Sequence, residues 1–122
     1  MKYLLDTHVW IWSQEDPGRL GNRTRRELAD LANERAVSPI STLEIARLLH
    51  LGVLHLKHAF TEWRTLSFAH LHATPAPFTH EIATEAYELP GNFHKDPIDR
   101  VLVAAARIAA CQLEVMRRLG SR

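Results

Sequence analysis

The sequence predicts an α/β fold in which a central, mostly parallel sheet carries helices on its faces. Three observations lead there. Short apolar runs (Tyr3-Leu4-Leu5, Arg35 to Ser38, Leu71 to Ala76, Gln112 to Val115) alternate with longer stretches of helical periodicity. Strands alternating with helices build a doubly wound or three-layer α/β domain. The first run is continuously apolar, which suits a strand buried on both faces. That run stops at a carboxylate, Asp6. In open parallel sheets ligands bind beyond the carboxyl ends of the strands, where the strand order reverses. Asp6 therefore reads either as the first group of a functional site or as a cap. Asp6 or Thr7 would cap a helix beginning at His8.

The chain has 122 residues, expected to form one domain over 1–122 and to bury about two-thirds of its unfolded surface. An apolar share of 46% with 24% charged residues is ordinary for a globular protein and argues against disorder. A net charge of +1 does not announce a nucleic-acid binder, yet local grooves matter more than totals. Cys111 is the only cysteine, so no internal disulfide forms and a reducing compartment fits. Asp6 interrupts the apolar start too early for a signal peptide, and Val101 to Ala106 is too short to span a bilayer. A cytoplasmic location with no membrane partner is the expectation.

After Asp6, Val9 to Trp12 continues a short helix to about Gln14, broken by the turn chemistry of Asp16-Pro17-Gly18. Asn22 is expected to cap a second helix to about Ala32, with Leu28 and Leu31 inward and Arg23, Arg25, Arg26 and Glu27 on a solvated face. Arg35 to Ser38 reads as a second strand leading into Pro39. Ser41-Thr42-Leu43-Glu44 then has the spacing of a capping box, opening a helix with Ile45, Leu48 and Leu49 on one stripe and Gly52 as its stop. Val53 to Leu56 links it to a helix over Lys57 to about Ala69, patterned on Phe60, Trp63 and Leu66. Leu71 to Ala76 is a third strand whose pairing Pro75 and Pro77 confine. Thr79 caps a helix through Tyr87, and Leu89 to Asn92 is a loop. Asp96 reads as an N-cap, Pro97 as the first helical residue and Asp99 as an acid in the first turn. The apolar run Val101 to Ala106 makes the helix they open a buried one. A final strand, Gln112 to Val115, precedes the basic end 117–122. No repeat or low-complexity segment occurs.

Asp6 follows a strand, Glu44 and Asp96 belong to helix openings, and Asp99 lies one turn into the last helix. If these openings share the sheet's carboxyl edge, the carboxylates converge, and like charges at close range resist ionising together. A hard divalent cation relieves that repulsion, and oxygen ligands suit Mg²⁺ or Mn²⁺ rather than zinc. A purely structural account stands beside this one: the capping box explains Glu44, and helix capping with the macrodipole explains Asp96 and Asp99.

Three stretches, taken together, resemble the PIN domain, and within it the VapC-type toxins of bacterial type II toxin–antitoxin systems. Leu4-Leu5-Asp6-Thr7-His8-Val9-x-x-Trp12 is similar to the family's opening strand and first acid. Ser38-x-x-Ser41-x-x-Glu44-Ile45 is similar to the segment with its second acid, and His94-Lys95-Asp96-Pro97-x-Asp99-Arg100 to the one with its third. The likeness covers about residues 1–113. It implies a three-layer α/β/α PIN-like domain and a metal-dependent endoribonuclease that hydrolyses phosphodiester bonds with a metal-activated water. By this resemblance Asp6, Glu44 and Asp96 hold Mg²⁺ or Mn²⁺, with Asp99 as a further ligand or supporting partner. Thr7 would orient Asp6 or a water, or else serve as a cap; Arg100 would contact phosphate, or else pair with an acid. An RNA substrate, a cognate antitoxin and a second copy of the chain are the implied partners. One departure stands out. Where the family has a strand ending in a Thr-x-Asp-like element, this chain reads Cys111-Gln112-Leu113-Glu114-Val115-Met116. The family's fourth acid is missing unless Glu114 replaces it, and residues 114–122 are expected to depart from the family pattern.

Rival chemistries lack their defining residues. The histidine pairs His55/His58 and His70/His72 have no cysteine partners or His-Glu-x-x-His spacing for zinc. A haloacid-dehalogenase-like phosphatase needs an aspartate where His8 stands, and no glycine-rich phosphate loop exists. The serious alternative is a silent PIN-like module that binds RNA or its antitoxin without cutting.

Overall fold

The computed structural model describes residues 1–91 and 96–109, and the backbone of 114–116. Strand β1 (Lys2–Leu5) runs straight into helix α1 (Thr7–Glu15), and a 3₁₀ turn over Pro17–Arg19 follows. Next come α2 (Asn22–Ala29), β2 (Glu34–Val37), α3 (Pro39–His50), α4 (Phe60–Leu71), β3 (Ala73–Pro75), α5 (His80–Glu85), α6 (Pro97–Ile108) and β4 (Glu114–Met116). These strands pair in parallel, with Leu4 opposite Ala36 on one side and Val115 on the other. The order is β3-β2-β1-β4. The chain steps from β1 outward to β3, then returns to the far side of β1 for β4. The order therefore reverses between β1 and β4, and Asp6 is the first residue beyond the carboxyl end of β1.

Alternation along β1 builds two cores. Tyr3 and Leu5 join Val9, Trp10, Ile11, Ile45, Trp63 and Leu71 on one face, whereas Leu4 joins Ile40, Ile82, Val101 and Leu102 on the other. Helices α1 and α4 thus cover one side of the sheet and α5 and α6 the other, giving the three-layer α/β/α arrangement. Helix α3 reaches both cores, through Ile45 and Ile40 respectively. Leu4 and Leu5 are wholly buried, and each such side chain is worth roughly 1.5–3 kcal/mol of transfer free energy. Trp10 anchors the first core. It packs on Trp63 and Phe68, and its indole N–H donates to Ser67 Oγ at 2.9 Å.

Several local expectations are corrected. Helix α2 is capped by the Gly21 backbone rather than by Asn22 and ends at Ala29, so Leu31 lies exposed outside it. The N-cap of α3 is Ser38, whose Oγ accepts from the Ile40 amide at 3.1 Å, with Pro39 as the first helical residue. Ser41 and Glu44 therefore form no capping box. Leu66 is exposed, and Ser67 takes the buried position beside Trp63. Helix α6 is one-sided rather than apolar all round, burying Val101, Leu102, Ala104 and Ala105 while Arg107 faces solvent. Other expectations stand in the structure. Thr79 caps α5, Gly52 takes the left-handed conformation just past α3, and β3 with its Pro75 forms one edge of this sheet. Residues 92–95, 110–113 and 117–122, and with them the expectations for His94, Lys95, Gln112, Leu113 and the basic end, lie outside the described residues, as does the side chain of Glu114.

Candidate functional site

The acids stand where helices open at the switch point. Asp6 is the N-cap of α1, its Oδ2 accepting from the His8 amide at 3.3 Å, and the residue is only 7% exposed. Asp96 is the N-cap of α6, its Oδ1 accepting from the Asp99 amide at 2.9 Å, with Pro97 next. Each cap uses one carboxylate oxygen, and the helix N-termini place partial positive charge behind both acids.

Glu44 has a different origin. It sits in the second turn of α3, is mostly buried (17% side-chain exposure), and pairs with Arg47 at 3.4 Å. Because Ser38 rather than Ser41 caps α3, Glu44 reaches back to no helix start, and the capping-box account of it is removed. Ser41 is occupied elsewhere: Thr7 Oγ1 bonds to Ser41 Oγ at 2.9 Å, fully buried. That bond ties the first residue of α1 to the first turn of α3, and so fixes the spacing between the segments carrying Asp6 and Glu44. Thr7 acts here as a strut; the capping role belongs to Asp6.

One pocket of about 280 Å³ is lined by Asp6, Thr7, His8, Trp12, Glu44, Asp96, Ile98 and Asp99. Carboxylates from β1's end, α3 and α6 thus meet at a single cavity. Among the described residues no three His, Cys, Asp or Glu side chains are close enough to form a ready-made ion cage, so the acids line the cavity without converging on one point. The acidic donors on this lining are carboxylate oxygens, which suit a hard divalent cation, and the His8 imidazole stands beside them. Arg100 does not line the pocket. Its Nη1 donates to the Ala86 carbonyl at 3.1 Å and its guanidinium lies 4.8 Å from the Tyr87 ring, tying α6 to the end of α5. Sequence reasoning assigns no role to His8, Trp12 or Ile98. A signal for the first two exists: His8 and Trp12 are four apart on the helix that Asp6 opens, hence on one face of it.

The PIN domain profile matches residues 3–113. The chain is 33% identical over 103 residues to "Ribonuclease VapC22" of Mycobacterium tuberculosis (strain ATCC 25618 / H37Rv), covering 84% of this chain and 77% of that protein. A chain of the crystal structure of VapBC2 from Rickettsia felis bound to a DNA fragment from their promoter superposes with a TM-score of 0.59 at 16% identity, over 94% of this chain and 98% of that one. That likeness speaks for the fold.

Proposed function

We propose that this chain, which belongs to the PIN-domain family and is of VapC type, is a Mg²⁺- or Mn²⁺-dependent endoribonuclease and the toxin of a type II toxin–antitoxin pair. The observation that carries the reading is the single pocket lined by Asp6, Glu44, Asp96 and Asp99, residues from distant stretches brought to the sheet's switch point. These carboxylates would hold the cation. When bound, it would lower the pKa of a water and offset charge on the phosphate during in-line attack.

The chain's own residues do the positioning. Asp6 keeps one carboxylate oxygen on the His8 amide, and its other oxygen would serve the cation. Asp96 does the same through the Asp99 amide. The Thr7–Ser41 bond holds the Asp6 and Glu44 segments together, and Arg47 orients Glu44 from the solvent side. Arg100 braces α6 against the end of α5 through the Ala86 carbonyl.

An antitoxin and a second copy of this chain are the proposed partners, for which exposed Leu43, Leu51 and Val53 offer apolar surface. Among the described residues no helix is long and apolar enough to cross a membrane, and the cytoplasm is the proposed location.

The test is RNA cleavage by purified protein with Mn²⁺ and with chelator. Wild-type protein is expected to cut only with metal, and Asp6→Asn to lose about 100-fold or more of the rate. Asn caps a helix as well as Asp, so the variant stays folded. Cleavage unchanged in Asp6→Asn would overturn the reading. RNA retention without cleavage would favour the silent module.

A further inference from the structure

The acidic pocket has a rim of another kind. Trp12 lines the pocket together with His8, and the two rings lie 5.6 Å apart at 49°. The guanidinium of Arg19, from the 3₁₀ turn after α1, sits over the Trp12 indole at 4.4 Å from its centroid. His8 and Arg19 are exposed and Trp12 is partly so. An indole with an imidazole tilted against it and a guanidinium over it therefore forms a rim beside the carboxylates. The other tryptophans, Trp10 and Trp63, are spent in the core, with their N–H groups bonded to Ser67 and Glu15.

Trp12 packs in part against the first core, and the rest of its surface lies at the pocket. A partly exposed tryptophan at a polar pocket leaves apolar surface in water, and a cation held over it is worth only about 0.5–1 kcal/mol at an exposed site. The chemistry matches one ligand class well. Unpaired nucleic-acid bases stack on aromatic rings and on arginine guanidinium planes, whatever their sequence. An array of carboxylates repels a polyanion, so a substrate strand needs attraction from groups beside them. Arg19 supplies a positive charge there, and Trp12 and His8 supply π-faces.

We propose that Trp12, flanked by His8 and Arg19, is a base-stacking subsite that seats one unpaired base of the RNA beside the carboxylate pocket. Because every base has a π-face, the subsite shows little preference among bases. This inference rests on the nuclease reading for its substrate, and the experiment separates the two.

Fluorescent single-stranded RNA octamers, intact or with one abasic position, are titrated into full-length protein in chelator and in Ca²⁺, and Mn²⁺-dependent cleavage is measured in parallel. Trp12→Phe keeps a π-face; Trp12→Leu keeps apolar bulk against the core without one. Trp12→Leu is expected to weaken binding about tenfold, equal to ~1.4 kcal/mol, while Trp12→Phe binds within about threefold of wild type. Arg19→Ala is expected to lose about threefold. One abasic position should weaken wild type and leave Trp12→Leu unaffected, and a blunt duplex should bind worse than the single strand. Leu and Phe variants that bind and cut alike would overturn the subsite while leaving the nuclease standing. Trp12-dependent binding without Mn²⁺-dependent cleavage would keep the subsite and sink the nuclease. No measurable binding of single-stranded RNA by wild-type protein in either condition would overturn the subsite.

Discussion

Two buried charges on neighbouring segments are handled in opposite ways. Arg35, on β2, is 3% exposed, and its guanidinium donates to the carbonyls of Leu71, Asp30 and Leu28. Those acceptors come from the end of α4, the last turn of α2 and the α2–β2 connection, so the arginine clamps all three to the sheet. Asp6, at the end of β1, is 7% exposed and accepts one amide hydrogen bond among the described residues, at 3.3 Å. Burying a charge is costly unless it is paired and hydrogen-bonded. Arg35 meets that condition inside the chain. Asp6 meets it only in part, and among the described residues its pocket adds further carboxylates and no lysine or arginine. A charge saturated by its own fold is structural, and a charge left under-coordinated at a strand end points to a ligand from outside.

Substitution can sharpen that contrast. Arg35→Met is expected to cost about 3 kcal/mol, because it strands buried carbonyls, and to leave cleavage per folded molecule near normal. Denaturant melts and active-site-normalised rates check both halves, and a collapse of specific activity would show Arg35 serving the site. Ser41→Ala removes the acceptor of the buried Thr7 hydroxyl. A loss of about 1–2 kcal/mol is expected with a several-fold fall in rate, since the spacing of Asp6 and Glu44 loosens. A stability loss with full activity would mean the strut does not position the site. Glu44→Gln should change stability least, by under about 0.5 kcal/mol, because its Arg47 partner is 62% exposed and such pairs contribute little. Its effect belongs in metal affinity, weakened about tenfold by titration calorimetry. Unchanged affinity would remove Glu44 from the cation site.

How far the sequence was legible follows from how local the signals are. Asp96-Pro97-x-Asp99 marks a helix start unaided, because cap, proline and first-turn acid act within one turn. β1 and its terminal acid were readable for the same reason. The Ser41–Glu44 spacing points to a cap at Ser41, yet α3 begins at Pro39, behind Ser38. The end of β2 decides for Ser38, and a residue 34 positions away, Thr7, claims Ser41. Leu31 and Leu66 fit an amphipathic stripe yet stay exposed, while Ser67 is buried to meet the Trp10 indole. Periodicity ranks apolar residues and cannot see a buried polar partner. Spacing of four puts His8 and Trp12 on one helix face, whereas the place of Arg19 over Trp12 depends on how the turn after α1 folds back, which no local pattern encodes.

The carboxylates' shared cation is tested most directly by thermal melting with and without Mn²⁺, on wild type, Asp6→Asn and Asp96→Asn. A ligand at about ten times its Kd stabilises the folded state by ~1.4 kcal/mol, so wild type should melt about 5 °C higher in millimolar metal, and both variants should lose most of that rise. A wild-type melt indifferent to Mn²⁺, or a rise that survives in both variants, would contradict a common ion held by Asp6 and Asp96.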